Sequence, residues 1–208
     1  MDEADARSSV PRETLPAFDA FVTLLRQESE RQNLVSRSTL EKVWSRHIAD
    51  SAQLVRLAPP AASRWLDLGS GAGFPGLVVA LLHPARVTLV ESRRLRADFL
   101  KRAAALLGLE RKVEIAAARA ETLPRRAFDV ISARAFAPLD SLLAAASRFS
   151  TARTLWILPK GRNAQTELEA CRASWQGDFW LEPSLTDPEA HIIVASGVRR
   201  RKRESKAR

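Results

Sequence analysis

The sequence predicts an α/β fold: a mostly parallel, twisted sheet with an antiparallel last strand, helices on both faces, and an N-terminal helical cap. Three observations carry this reading. Short, nearly continuous apolar runs alternate with helical patterns, as parallel strands covered on both faces require. Two amphipathic helical patterns precede the first strand. Between them and the rest stands Arg64-Trp65-Leu66-Asp67-Leu68-Gly69-Ser70-Gly71-Ala72-Gly73-Phe74-Pro75-Gly76, then the apolar run Leu77 to Leu82. Glycine permits positive φ and close backbone approach, and a helix opening after such a loop aims free N–H groups at whatever lies there. That is a strand–turn–helix ligand cradle.

In chain order, residues 1–14 read as a flexible tail and 15–60 as the cap. Leu15, Phe18, Phe21, Val22 and Leu25 recur at helical spacing. After a break at Asn33-Leu34-Val35-Ser36, Ser38 or Thr39 is the expected N-cap of a second helix running to about Leu57. Pro59-Pro60 ends the cap, and residues 61–197 form the ligand-binding domain. Its first strand ends at Asp67, a helix spans Pro75–Leu82, and Val87–Glu91 is the second strand. A helix over Leu95–Leu107 has a basic outer face and stops at Gly108. Strands follow at 113–115, 128–134 and 155–158, with helices at 139–146 and 164–173. Trp180-Leu181 and His191–Ala195 are expected to form the antiparallel pair, and 198–208 a disordered basic tail.

Composition narrows the partner. Lys+Arg number 33 against 24 Asp+Glu, net +9, and lysine occurs only at positions 42, 101, 112, 160, 202 and 206. Arginine offers a planar fork that grips phosphate and stacks on bases, which favours nucleic acid, although Ala- and Arg-rich composition also follows from a GC-rich genome. The single cysteine, Cys171, excludes an internal disulfide and any Cys-based zinc site, and no metal site is expected. The polar N-terminus is no signal peptide, and no apolar run approaches the ~20 residues of a membrane span. The expectation is a cytoplasmic, monomeric protein without a membrane partner.

The glycine turn fits two ligands. Gly71-x-Gly73-x-x-Gly76 matches a dinucleotide fingerprint, whereas Asp67-x-Gly69-x-Gly71-x-Gly73 resembles the first motif of Rossmann-like methyltransferases that bind S-adenosylmethionine (SAM). A pyrophosphate wants positive charge; SAM brings an ammonium and a sulfonium, which a carboxylate suits better. Glu91, at the end of the second strand, stands where an acidic residue accepts bonds from ribose hydroxyls. Arg46, His47 and Asp50 share one helix face, and Arg134 ends the fourth strand at the ligand edge. Spacing alone leaves both groups open between pocket residues and surface ion pairs.

The combination of Asn33-Leu34, Arg46-His47-Ile48-x-Asp50-Ser51, the turn ending Gly73-Phe74-Pro75-Gly76, Ser132-Ala133-Arg134-Ala135-Phe136 and Lys160-Gly161 closely resembles the bacterial 16S ribosomal RNA guanine-N7 methyltransferase family, RsmG or GidB, over roughly 33–196. The resemblance implies a SAM-dependent enzyme acting on a guanine of the 530 loop, in 16S RNA or the 30S particle. It implies cofactor contacts at Gly69, Phe74, Ala120, Glu121 and Arg134, beside those that the glycine turn (Gly71, Gly73) and the strand end (Glu91) themselves suggest. It also makes Arg46, His47 and Lys160 candidates for RNA contact. Two departures stand out: Glu28-Ser29 replaces the family's Trp-Asn pair, and Ala190 its arginine before the last strand's histidine.

The chemistry agrees. An Asn/Asp-Pro-Pro-aromatic motif for exocyclic amines is absent, and Cys171 has no setting for a thiolate nucleophile. Guanine N7 presents an in-plane lone pair, so direct displacement requires no general base, and positioning is the main task. The product ring gains positive charge; Asp50 is the candidate to stabilise it, with Arg134 as the second candidate catalytic residue.

Overall fold

A computed structural model describes residues 1–201. Seven strands form one sheet: β1 Arg64–Leu68, β2 Arg86–Val90, β3 Val113–Ala116, β4 Val130–Ala133, β5 Leu155–Lys160, β6 Trp175–Pro183 and β7 His191–Arg200. The spatial order is β3-β2-β1-β4-β5-β7-β6. β1 to β5 are parallel, while β7 runs antiparallel to both β5 and β6. The order reverses between β1 and β4, and a ligand crevice is expected at the carboxyl ends of strands flanking such a switch. The loops after β1 and β4 are the glycine turn and the Arg134-Ala135-Phe136 stretch.

Side chains alternate across the sheet with period two. Trp65, Val87, Leu89, Val130 and Ile157 join the core shared with the cap. Leu66, Leu68, Ile131, Trp156 and Leu158 join the core on the opposite face. The helices are α1 Glu3–Ser8, α2 Leu15–Ser29, α3 Arg37–Leu40, α4 Asp50–Ala52, α5 Gly76–Leu82, α6 Arg94–Leu106, α7 Leu139–Ala146 and α8 Ala164–Cys171. None among the described residues is long and apolar enough to cross a membrane.

Three expectations need correction. Residues 1–14 hold α1, whose Ala6 is fully buried, and Arg7 pairs with Asp19 at 2.7 Å. The expected single helix of the second cap segment is broken into pieces. Ser36, rather than Ser38 or Thr39, caps α3 by accepting from the Thr39 amide. Trp44–Ala49 then forms a wider π-helical turn, continued by α4 and a 3₁₀ turn over Gln53–Arg56. The break is sealed by Glu3, whose carboxylate accepts from the Trp44 amide at 3.1 Å and the Ser45 amide at 2.8 Å. Third, residues 198–200 of the expected basic tail belong to β7, and the Arg201 amide donates to Ser174 O at 2.9 Å. Residues 202–208 lie outside the described residues.

Candidate functional site

The glycine turn is held by the neighbouring strand. The amides of Gly69 and Ser70 both donate to Val90 O, at 2.9 and 3.1 Å. Glu91 accepts from the Gly71 amide at 3.1 Å through Oε2 and from the Arg93 amide at 2.8 Å through Oε1. Each oxygen keeps a lone pair. The turn needs glycine for two reasons: Gly69, Gly71 and Gly73 all have positive φ, and a Cβ on Gly69 would stand 2.6 Å from the Phe136 ring.

Asp67 is fully buried below the turn. Its Oδ1 accepts from Ser132 Oγ at 2.8 Å, whose oxygen accepts in turn from Trp65 Nε1 at 2.9 Å. Its Oδ2 lies against Gly76. Burial raises the Asp67 carboxyl to about 6, against the opposing pull of the Ser132 and Ser70 hydroxyls and the Gly76 amide.

Two cavities open at this sheet edge. One of about 420 Å³ is lined by Gly69, Glu91, Arg96, Ala120, Glu121 and Phe136. The other, about 680 Å³, is lined by Arg46, His47, Asp50, Arg134, Phe136 and Lys160, among others. Ala135 and Phe136 border both.

Arg134 is the joint between the cap and the sheet. Its guanidinium donates to Asp50 Oδ2 at 3.3 Å, Arg46 O at 3.1 Å and His47 Nδ1 at 2.9 Å. Accepting at Nδ1 puts the His47 proton on Nε2, which is buried without a partner among the described residues. Burial, then the charges of Arg134 and Arg46, lower His47 to about 3, so it is neutral at working pH. The π-helical turn presents Arg46 and His47, and Asp50 follows at the start of α4; such turns recur at functional sites.

The structure brings together Gly69, Glu91, Ala120 and Glu121 around the smaller cavity, and Arg46, His47, Asp50, Arg134 and Lys160 around the larger. It leaves Gly71, Gly73 and Phe74 outside both linings. Phe74 lines neither cavity: it is buried, its ring 4.9 Å from His47 and 5.4 Å from Phe21. Gly73 packs against Leu77, and Gly71 faces Arg96. Glu121 is exposed and pairs with Arg119 at 3.6 Å. Asp50 has few lone pairs to spare, since Oδ1 accepts from Gln53 and Thr186, both at 2.9 Å, beside the Arg134 bond to Oδ2. Lys160 is committed inward, to Ala137 O at 3.0 Å and Glu167 at 2.8 Å. Sequence reasoning missed Thr186 and Phe136 as parts of the site, and Glu3 as a support of the turn that carries Arg46 and His47. Phe136 alone left a signal, an aromatic at the loop position after β4.

The smaller cavity suits a cationic nucleoside. Glu91, in its lining, can take ribose hydroxyls. The dinucleotide alternative fits less well, because Glu91 already occupies the Gly71 amide that such a turn would offer a phosphate.

Known proteins agree. The family model of GidB, rRNA small subunit methyltransferase G, matches residues 14–187. A ribosomal RNA small subunit methyltransferase G of Rhizorhabdus wittichii is 55% identical, covering 100% of this chain and 99% of that protein. A protein of the same name from Zymomonas mobilis is 49% identical over 97% of this chain and 94% of its own length. In fold, the chain is similar to an O-methyltransferase from Bacillus cereus in complex with SAH, with TM-score 0.58, 15% identity, and 85% and 90% of the two chains covered. It is also similar to a ribosomal protein L11 methylase from Lactobacillus delbrueckii subsp. bulgaricus, with TM-score 0.58, 17% identity, and 74% and 78% covered. The fold is that of the Rossmann-like SAM-dependent methyltransferases, and the chain belongs to the GidB family, the rRNA small subunit methyltransferases G.

Proposed function

We propose that this chain transfers the methyl group of SAM to N7 of a guanine in the 530 loop of 16S ribosomal RNA, giving 7-methylguanosine. The observation that supports it best is the meeting of two unlike cavities at one seam. One is built around the glycine turn and Glu91; the other is faced by Arg46 and Arg134. Bound SAM supplies an electrophilic methyl, which an unprotonated ring nitrogen accepts directly, so no side chain has to remove a proton.

The residues of the chain then position and hold. Gly69 of the turn backs the methionine side, Glu91 holds the ribose, and Ala120 and Glu121 border the adenine. Arg46 and Arg134 face the RNA. His47 contributes as a neutral acceptor for Arg134 rather than as a cation. Asp50 acts through Arg134, fixing the guanidinium between the cap and β4, in place of the charge-stabilising role expected from sequence. Double-mutant kinetics check this: Asp50→Ala and Arg134→Ala each lower turnover, and the double variant falls little further. Additive losses would restore a separate task to Asp50.

The substrate is small-subunit RNA, naked or in the 30S particle, met in the bacterial cytoplasm by a monomer. Incubation with methyl-labelled SAM and each RNA form, followed by mapping of the modified base, tests the reading. One guanine labelled at N7 in the 530 loop is expected. Label on another base, on an exocyclic amine or on protein overturns it.

A further inference from the structure

Phe136 has a setting that no other aromatic residue of the chain shares. It is one of six large apolar side chains exposed among the described residues, and the one that lies at the seam of the two cavities. Its ring rests directly on Gly69, where even a methyl group could not be added without meeting Cδ2. It takes part in none of the ring–ring contacts found among the described residues.

The backbone around it is built for this placement. Ala135 has φ of 50°, the only positive φ outside glycine among the described residues. Such a conformation is unfavourable for an L-residue and persists where the surroundings impose it. Here both flanks are fastened. Arg134 is tied down by Asp50, His47 and the Arg46 carbonyl. On the other side the Ala137 carbonyl accepts from Lys160 Nζ, and Glu167 joins Lys160 to the Leu139 amide. Only Ala135 and Phe136 lie free between the two anchors, and the forced turn at Ala135 sends the ring to the seam.

We infer that Phe136 is the base-holding residue: the target guanine enters the larger cavity and lies against the Phe136 ring, with its N7 edge turned toward the smaller one. This rests on the guanine-N7 reading above. A flat apolar ring is the chemistry that grips an unstacked base without competing for its hydrogen-bonding edges. Lys160 and Glu167 are then positioning residues that hold the loop in shape, which explains why a lysine expected to touch RNA is turned inward.

The test compares four variants of the full chain on whichever RNA form the wild type methylates. Phe136→Tyr and Phe136→Trp keep an aromatic face, Phe136→Leu keeps apolar bulk, and Phe136→Ala removes both. The inference predicts kcat/KM for RNA near wild type in the aromatic pair, and about ten- to a hundredfold lower in Leu and Ala. Because the ring also borders the smaller cavity, SAM affinity, read by calorimetry without RNA, falls in Leu and Ala by much less than kcat/KM for RNA does. Wild-type turnover in Phe136→Leu would show that bulk suffices and overturn the inference. A loss of SAM affinity as large as the loss of kcat/KM would assign the ring to the cofactor and overturn it equally. If the wild type methylates an atom other than guanine N7, the proposed function fails instead, and that result is seen before any variant is made.

Discussion

His47 owes its neutrality to burial beside two arginines, and the unfolded chain does not share that environment. Below its ordinary value of 6.5 the unfolded chain takes up a proton that the folded chain refuses until about 3. The stability contributed by neutral His47 is therefore complete above 6.5 and lost as pH falls toward 3. Asp67 works in the opposite sense. Its folded value of about 6 exceeds the ordinary 3.8, so its contribution is complete below 3.8 and lost as pH rises through 6. Urea unfolding at pH 7 and pH 5 separates them. Relative to wild type, His47→Gln should lose less stability on acidification, by about 2 kcal/mol, and Asp67→Asn should lose more, by about 1 kcal/mol. Profiles parallel to wild type would mean that neither group is buried as described. Gly76 gives a packing prediction at the same scale: a Cβ there runs into the Leu89 side chain and stands 2.8 Å from Asp67 Oδ2. Gly76→Ala should cost about 1–3 kcal/mol in the same experiment.

At the scale of elements, the first eight residues support the active edge from a distance. Glu3 caps the amides of Trp44 and Ser45, where the π-helical turn carrying Arg46 and His47 begins. Glu3→Ala should lower stability by about 1–2 kcal/mol and reduce turnover on RNA with SAM affinity retained. A variant matching wild type in both thermal melting and turnover would reduce α1 to an ornament of the cap. This contact also marks where the sequence stops being informative. The glycine turn, Glu91 and the alternation of strands and helices are local patterns, and they are legible because each depends on neighbours within one βαβ unit. Glu3 meets Ser45 across 42 positions, and Arg134 meets Asp50 across 84. No periodicity links such pairs. The wider turn at Trp44–Ala49 left no trace in composition either, since the same residues would serve an ordinary helix. Phe74 misled for a related reason: the motif locates it in the turn but does not say that its ring faces His47 and the cap.

At the scale of the whole molecule, net charge of +9 and the exposed Arg93 and Arg94 at the start of α6 predict a salt-sensitive RNA complex. If about six phosphates are engaged, RNA affinity should fall roughly a thousandfold between 50 and 200 mM salt, somewhat less for a single strand. SAM binding, which the proposed function places in the smaller cavity, should hardly change over that range. A flat RNA response would remove the basic surface from the account. The sheet places everything else: because the strand order reverses between β1 and β4, the glycine turn and the Phe136 loop emerge side by side, and the cap closes over them through Arg134.

The most direct measurement follows 7-methylguanosine in small-subunit RNA of the source bacterium after removal of this gene. The account predicts that the modification disappears from the 530 loop, returns with the wild-type gene, and stays absent with Glu91→Ala. Undiminished 7-methylguanosine in the deletion strain would contradict it.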